Sequence, residues 1–214
     1  MTFKNCFDEI VIEFSSGKYR EQIEKAKQEF FLLGGTVHEE NEEYTDRINL
    51  FLDWYVFERK LDKEDVTPLN MYFITHTDDI SEQEKIILEG MKNSITGLFI
   101  VKKLRDDNVK VKNLFTDNSY NVEDDYFLSF IKKGDIFQGR IISLNEKNIF
   151  GNGFCFHNPE TESYIKSEIK KIKNMDKTYH MNLMMKLASM KVKTEEYHHV
   201  LIKHIYDEQP KVRL

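Results

Sequence analysis

At Gly97 the hydrophobic pattern of this chain changes period, and that change constrains the fold more than any other feature. Before it, apolar residues recur three and four apart, the spacing of one helix face. Phe3, Phe7, Ile10 and Phe14 share a face, and Gly17 closes the segment. Tyr19, Ile23, Ala26, Phe30 and Leu33 repeat the spacing and run into the stop Gly34-Gly35. A third helix is predicted from Glu40 to Lys60. It is one-sided at Tyr44, Ile48 and Phe51, then apolar nearly all round from Leu50 to Phe57 except at Asp53. A helix apolar all round is a buried one, so this segment reads as the central helix of the front half, sharing an interface with the strands that follow. Thr67-Pro68 supplies a cap and a first-turn proline for a short helix. Ser81 and Glu84 have capping-box spacing ahead of Ile86, Ile87 and Met91.

After Gly97 the runs are short, alternating and broken by turn residues. Five strands are predicted: Leu98 to Arg105, Val109 to Phe115, Tyr120 to Val122, Ile136 to Leu144, and Ile149 to Phe156. Five short strands with Gly139, Gly151 and Gly153 for bends suit a small antiparallel barrel or curled sheet. From Asn158-Pro159 the helical period returns, with Ile165, Ile169 and Ile172 on one face and Leu183, Leu187 and Met190 on the next. A last helix is predicted from a Thr194 cap through Val200, Leu201 and His204, and the tail Gln209–Leu214 is expected to fray. The fold class is therefore α+β: helices over 1–96, a small barrel over 97–157, and helices over 158–214.

Composition bounds the function. Ten Tyr and 16 Phe in 214 residues supply ample surface for a packed core. Cys6 and Cys155, far apart, make no disulfide framework and point to a reducing, cytoplasmic setting. Asp8 and Glu9 interrupt the first apolar run, so no signal peptide is expected, and no run reaches the ~20 apolar residues of a membrane span. Residues 1–98 hold 11 Lys+Arg against 21 Asp+Glu, and residues 99–214 hold 20 against 16. An acidic front and a mildly basic back suit an interaction surface for a protein or other anionic partner. Neither half has the basic excess of a nucleic-acid binder, so nucleic acid is not favoured.

Two stretches carry a family resemblance. One is Phe51-Leu52-Asp53-Trp54-Tyr55-Val56-Phe57-Glu58 followed by Thr67-Pro68-Leu69. The other is Leu98-Phe99-Ile100-Val101, Leu114-Phe115-Thr116-Asp117, and Gly134-Asp135-Ile136-Phe137 with Arg140. Their order resembles a group of uncharacterised bacterial proteins, many of which end in the SEC-C zinc motif. The resemblance implies helices followed by a small barrel and brings no activity with it. The zinc motif itself is absent: no closely spaced Cys follows Gly153, and thiolates are what hold such a metal.

Candidate sites are few. Cys155 and His157 alternate on a strand, so a thiol and an imidazole can share a face; they suit a nucleophilic pair or half a metal site, or else a buried Cys beside a surface His. His198, His199 and His204 do not align on one helix face, although Glu195 with His199 and Glu208 with His204 have ligating spacing. Lys166, Lys170, Lys173 and Lys177 form a stripe that suits a solvated face or an acidic partner. Trp54 reads as core, and Asp53 beside it needs a partner if buried. For an anionic partner the expected contacts are Lys102, Lys103, Lys110, Lys112 and Arg140, with Arg140 facing outward; the same charges also suit guards of exposed sheet edges. There is no P-loop, G-x-G-x-x-G, G-x-S-x-G or H-E-x-x-H. No metal and no cofactor is expected. The leading expectation is a non-enzymatic binding or adaptor module using the barrel face or basic back half. The alternative is a hydrolase-like site at Cys155 and His157 with a carboxylate from the helical part.

Overall fold

The local signals set the front half. In the computed structural model, which describes residues 2–206, α1 (Phe3–Phe14) starts at a Thr2 cap and buries Phe3, Phe7, Ile10 and Phe14. α2 (Arg20–Gly34) ends on Gly35, whose φ is 88°. α3 spans Tyr44–Phe57, shorter at both ends than its apolar pattern suggested, because residues 40–43 form a turn. α4 (Pro68–Thr75) carries the Thr67 cap, and α5 (Glu82–Lys92) the reciprocal Ser81–Glu84 capping box. These helices share one core around Phe14, Phe30, Phe51 and Tyr55, where the Tyr55 hydroxyl donates to the Phe14 carbonyl at 2.7 Å. Trp54 packs against Phe30, as a core residue would.

Six strands follow: β1 (Ile95–Leu104), β2 (Val109–Asn113), β3 (Ser119–Val122), β4 (Ile136–Leu144), β5 (Lys147–Phe150) and β6 (Cys155–His157). All pairings are antiparallel, in the order β3-β2-β1-β4-β5, with β6 also on β4. The expected last strand is thus two, separated by a kink over 151–154. The sheet curls until its ends meet: the Glu123 N–H donates to the Asn148 carbonyl at 2.9 Å, and the Asn148 amide to the Asn121 carbonyl at 3.0 Å. This is a half-barrel of the five-stranded, partly open kind, with β6 as an annex. A short α6 (Asp125–Leu128), absent from the sequence reading, brings Phe127 against Phe137, Phe150 and Phe154 to plug one end.

The sheet has two buried faces. Inside lie Phe99, Val101, Val109, Val111, Phe137 and Ile141. Outside, Leu98, Ile100 and Ile136 meet Ile165 and Ile169 of α7 (Glu162–Ile172) and Leu183 and Leu187 of α8 (Lys177–Glu196). β1 and β4 are therefore buried on both faces along most of their length. α8 also packs on α2, so front and back halves interlock. Thr194 caps nothing: α8 runs through it, and its hydroxyl donates back to the Lys191 carbonyl. His198 and His199 lie in the turn that follows, Leu201 is exposed, and His204 sits on the four-residue α9 (Ile202–Ile205). The expected fraying of Gln209–Leu214 and the Glu208–His204 pair lie outside the described residues. Among the described residues no helix is long and apolar enough to cross a membrane.

Candidate functional site

Where helices cover the sheet, the strand pattern places polar groups in a buried seam. Gln138 and Arg140 share a face of β4, and register sets Cys155 opposite Gln138 on β6 and His157 opposite Ile136. The prediction that Arg140 faces outward fails here. It points away from the barrel interior, as alternation requires, but that face lies under α3 and Arg140 is 3% exposed. Its Nε donates to both Asp53 oxygens at 3.2 and 3.0 Å, Nη2 to Glu58 at 2.7 Å and Nη1 to the Ser94 hydroxyl at 3.0 Å. The guanidinium also lies 3.9 Å from the Phe57 ring centre. Burial pushes the Asp53 carboxyl up from its usual value, and Arg140 pulls it back. Asp53 thus has the partner its apolar helix demanded. Gly153 makes the approach possible: a Cβ there would lie 2.8 Å from the α3 backbone at Leu50.

Further along the seam stand Cys155, His157 and Arg47, all buried. His157 is not the surface residue its strand-end position suggested. Burial, reinforced by Lys191 and Arg47, lowers its pKa to about 3, and neither ring nitrogen has a hydrogen-bond partner among the described residues. Burial pushes the Cys155 thiol up to about 11 despite the nearby Arg47 charge. The Arg47 Nη2 donates to the carbonyls of Gly34 and Gly35. At the rim, Lys191 bridges Glu43 at 3.0 Å and Glu195 at 2.5 Å. Burial and the neighbouring Glu43 carboxyl lift Glu195 to about 7. Carboxylates from helical segments thus do come near Cys155 and His157. But a protonated thiol and a neutral imidazole sealed in the core lack the thiolate character that nucleophilic chemistry uses. No group of three or more His, Cys, Asp or Glu is arranged to hold a metal among the described residues.

The basic residues fare unevenly. Lys102 is the extra residue of a bulge in β1. The bulge returns Leu104 to the inside opposite Val109 and leaves Lys103 exposed directly opposite exposed Lys110. Lys112 is paired with Asp117 at 2.6 Å, and Asp117 also pairs with Lys173, so hydrogen bonds from both lysines hold that carboxyl down to about 2. β1 and β2 are interior strands, so these lysines guard no edge. In the α7 stripe, Lys166 pairs with Glu162, and Lys177 belongs to α8.

Sequence reasoning missed a cleft of about 700 Å³ between the plugged barrel end and the front helices. One wall carries Phe127, Phe130, Phe150, Phe154 and Phe156; the other carries Lys4, Asp8 and Val11 of α1 with Asp46, Asn49 and Leu52 of α3. Asp124 stands at the barrel side, its carboxylate accepting the Phe127 N–H at 3.0 Å. The even spacing of Phe150, Phe154 and Phe156 was the available signal, since alternation puts all three on one face of an extended segment.

No curated protein and no solved structure matches the chain. A family of unknown function, DUF7986, matches residues 11–188, which include the barrel, the seam from Arg47 to His157 and the cleft lining from Val11 onward, but not Lys4, Phe7 and Asp8 of α1. With most of its length inside that match, the chain belongs to the DUF7986 family.

Proposed function

We propose that the protein is a non-enzymatic binding module whose site is the cleft between the barrel end and α1 and α3. The carrying observation is that cleft: about 700 Å³, floored by aromatic rings and rimmed by a few polar groups. Ligand pockets have this size and make-up. The buried, protonated Cys155 supports binding over the hydrolase alternative. Two free, buried cysteines agree with a reducing, cytoplasmic setting. Kinship with the SEC-C-associated bacterial proteins is part of the same proposal and adds no activity.

The test is titration of the full chain with Nile red, a neutral solvatochromic dye, against Phe130→Ser and Phe156→Ser. Phe130 is 45% exposed, so its replacement leaves the fold intact. The expected result is one saturable site weakened about tenfold or more in each variant, since a buried aromatic contact is worth several kcal/mol at most and often ~1.5. Equal affinity in all three proteins would refute the assignment.

A second reading is favoured by one observation. Lys103 and Lys110 stand directly opposite each other, both exposed, with no ion pair to a described residue. Like charges so placed repel, and a bound anionic segment would relieve them. Beside the lysines the register sets Asn121 and Ser119 rather than an aromatic residue for a base to stack on, which favours an acidic polypeptide over single-stranded nucleic acid. Lys103→Glu with Lys110→Glu should abolish a salt-sensitive partner interaction; an unchanged interaction would dismiss this surface.

A further inference from the structure

We propose that the ligand of the cleft is a basic peptide segment in which an apolar side chain is flanked by two Lys or Arg residues; this rests on the binding reading above. The first ground is charge. Asp8, Asp46 and Asp124 reach the cleft from α1, from α3 and from the segment after β3, and among the described lining residues Lys4 is the one cation. Neither Asp8 nor Asp46 is ion-paired with a described residue, whereas Lys112, Lys147, Lys166 and Lys191 elsewhere on the molecule all are. Partial burial, and then the Glu43 charge, raise the Asp46 pKa. A cation brought to this wall favours the charged carboxylate and so offsets that burial.

The second ground is the floor. Phe130 is exposed, and Phe154 and Phe156 are half-buried, so ring surface remains at the cleft. Aromatic surface accepts both apolar side chains and cations over its faces. An acidic ligand would gain the apolar contact and lose to the carboxylates. The third ground is spacing. The carboxylates sit on α1, on α3 and after β3, around the rings rather than in one cluster. One amine meets one of them. A segment with basic side chains on either side of an apolar one meets two walls while its apolar group lies on the floor.

The experiment is calorimetric titration of the full chain with three capped tetrapeptides, Arg-Phe-Leu-Arg, Gln-Phe-Leu-Gln and Glu-Phe-Leu-Glu, and with phenethylammonium as a single-cation control. The expected result is that the Arg peptide binds about tenfold tighter than the Gln peptide at low salt, as two exposed ion pairs allow. The margin should shrink at high salt. The Glu peptide should not bind detectably, and phenethylammonium should bind more weakly than the Arg peptide. In the Asp8→Asn, Asp46→Asn double variant, the Arg-over-Gln margin should fall below about threefold while Nile red affinity is retained. Equal binding of the Arg and Gln peptides, a margin that survives the double variant, or phenethylammonium matching the Arg peptide would each overturn the ligand assignment. If Nile red still reports a site that Phe130→Ser weakens, the cleft reading stands without it. Nile red indifferent to Phe130→Ser and no peptide bound would sink both.

Discussion

Replacing Arg140 by Met tests how the barrel and the front helices are joined. Met keeps a similar apolar length, so the loss is electrostatic rather than a cavity. Arg140 is 3% exposed and Asp53 is 5% exposed, and the change removes both Nε bonds to Asp53, the Nη2 bond to Glu58 and the Nη1 bond to Ser94. What remains is a buried carboxylate without its cation, a situation that costs about 3–5 kcal/mol. For a chain of this length that is a fall in Tm of roughly 6–20 °C. Asp53→Asn is milder, about 1–2 kcal/mol, because the amide oxygen still accepts from Arg140 and Glu58 still pairs with it. Removing both partners, with Asp53→Leu and Arg140→Met together, should recover most of the loss, because an apolar pair of similar volume often replaces a buried ion pair at little cost. Urea unfolding of the parent, Asp53→Leu, Arg140→Met and the double variant gives the cycle. A loss below about 1 kcal/mol for Arg140→Met would refute the reasoning, since that is the range of exposed ion pairs.

Two pH predictions follow with opposite signs. His157 has a folded pKa of about 3, below its ordinary value, so the unfolded chain binds the extra proton and stability is lost as pH falls from about 6.5 toward 3. His157→Leu should flatten that acid limb in urea midpoints measured between pH 4 and 7; an unchanged limb would show that His157 is not buried neutral. Glu195 sits at about 7, above its ordinary value, so the folded chain holds the extra proton and stability falls as pH rises through that window. Glu195→Gln should remove this fall and leave the protein roughly 1–3 kcal/mol more stable than the parent at pH 8, and no gain there would count against a Glu195 raised by burial and Glu43.

Much of the front half was legible because its determinants are local. Ser81 with Glu84, and Thr67 with Pro68, each specify a helix start within four residues, and the structure uses both. β2 and β3 were legible from turns and alternation, and β4 from the turns that bound it. Arg140 shows where local reading stops. Alternation gave its direction, away from Phe137 and Ile141, but whether that face meets water depends on α3 and on Gly153, far away in sequence. β1 and β4 lose their alternation for the same reason, being covered outside by α7 and α8 and, along β4, by the front helices, and inside by barrel residues. Lys103 changed neighbours because a bulge at Lys102 carries no composition signal of its own. Thr194 looked like a cap because Thr often is one, yet a Thr hydroxyl can also bond back within a helix, as this one does. The cleft was the least legible feature. Its walls come from residues 4–11, 46–52 and 124–156, and only the fold brings them together.

The most direct test of the cleft as the binding site is an amide NMR titration of the full chain with the Arg-Phe-Leu-Arg peptide. The account predicts that shift changes concentrate at Val11, Asn49, Gly151 and Phe154, on both walls, and leave Lys103 and Lys110 unmoved. Changes centred on Lys103 and Lys110, or no saturable change at the cleft residues, would contradict it.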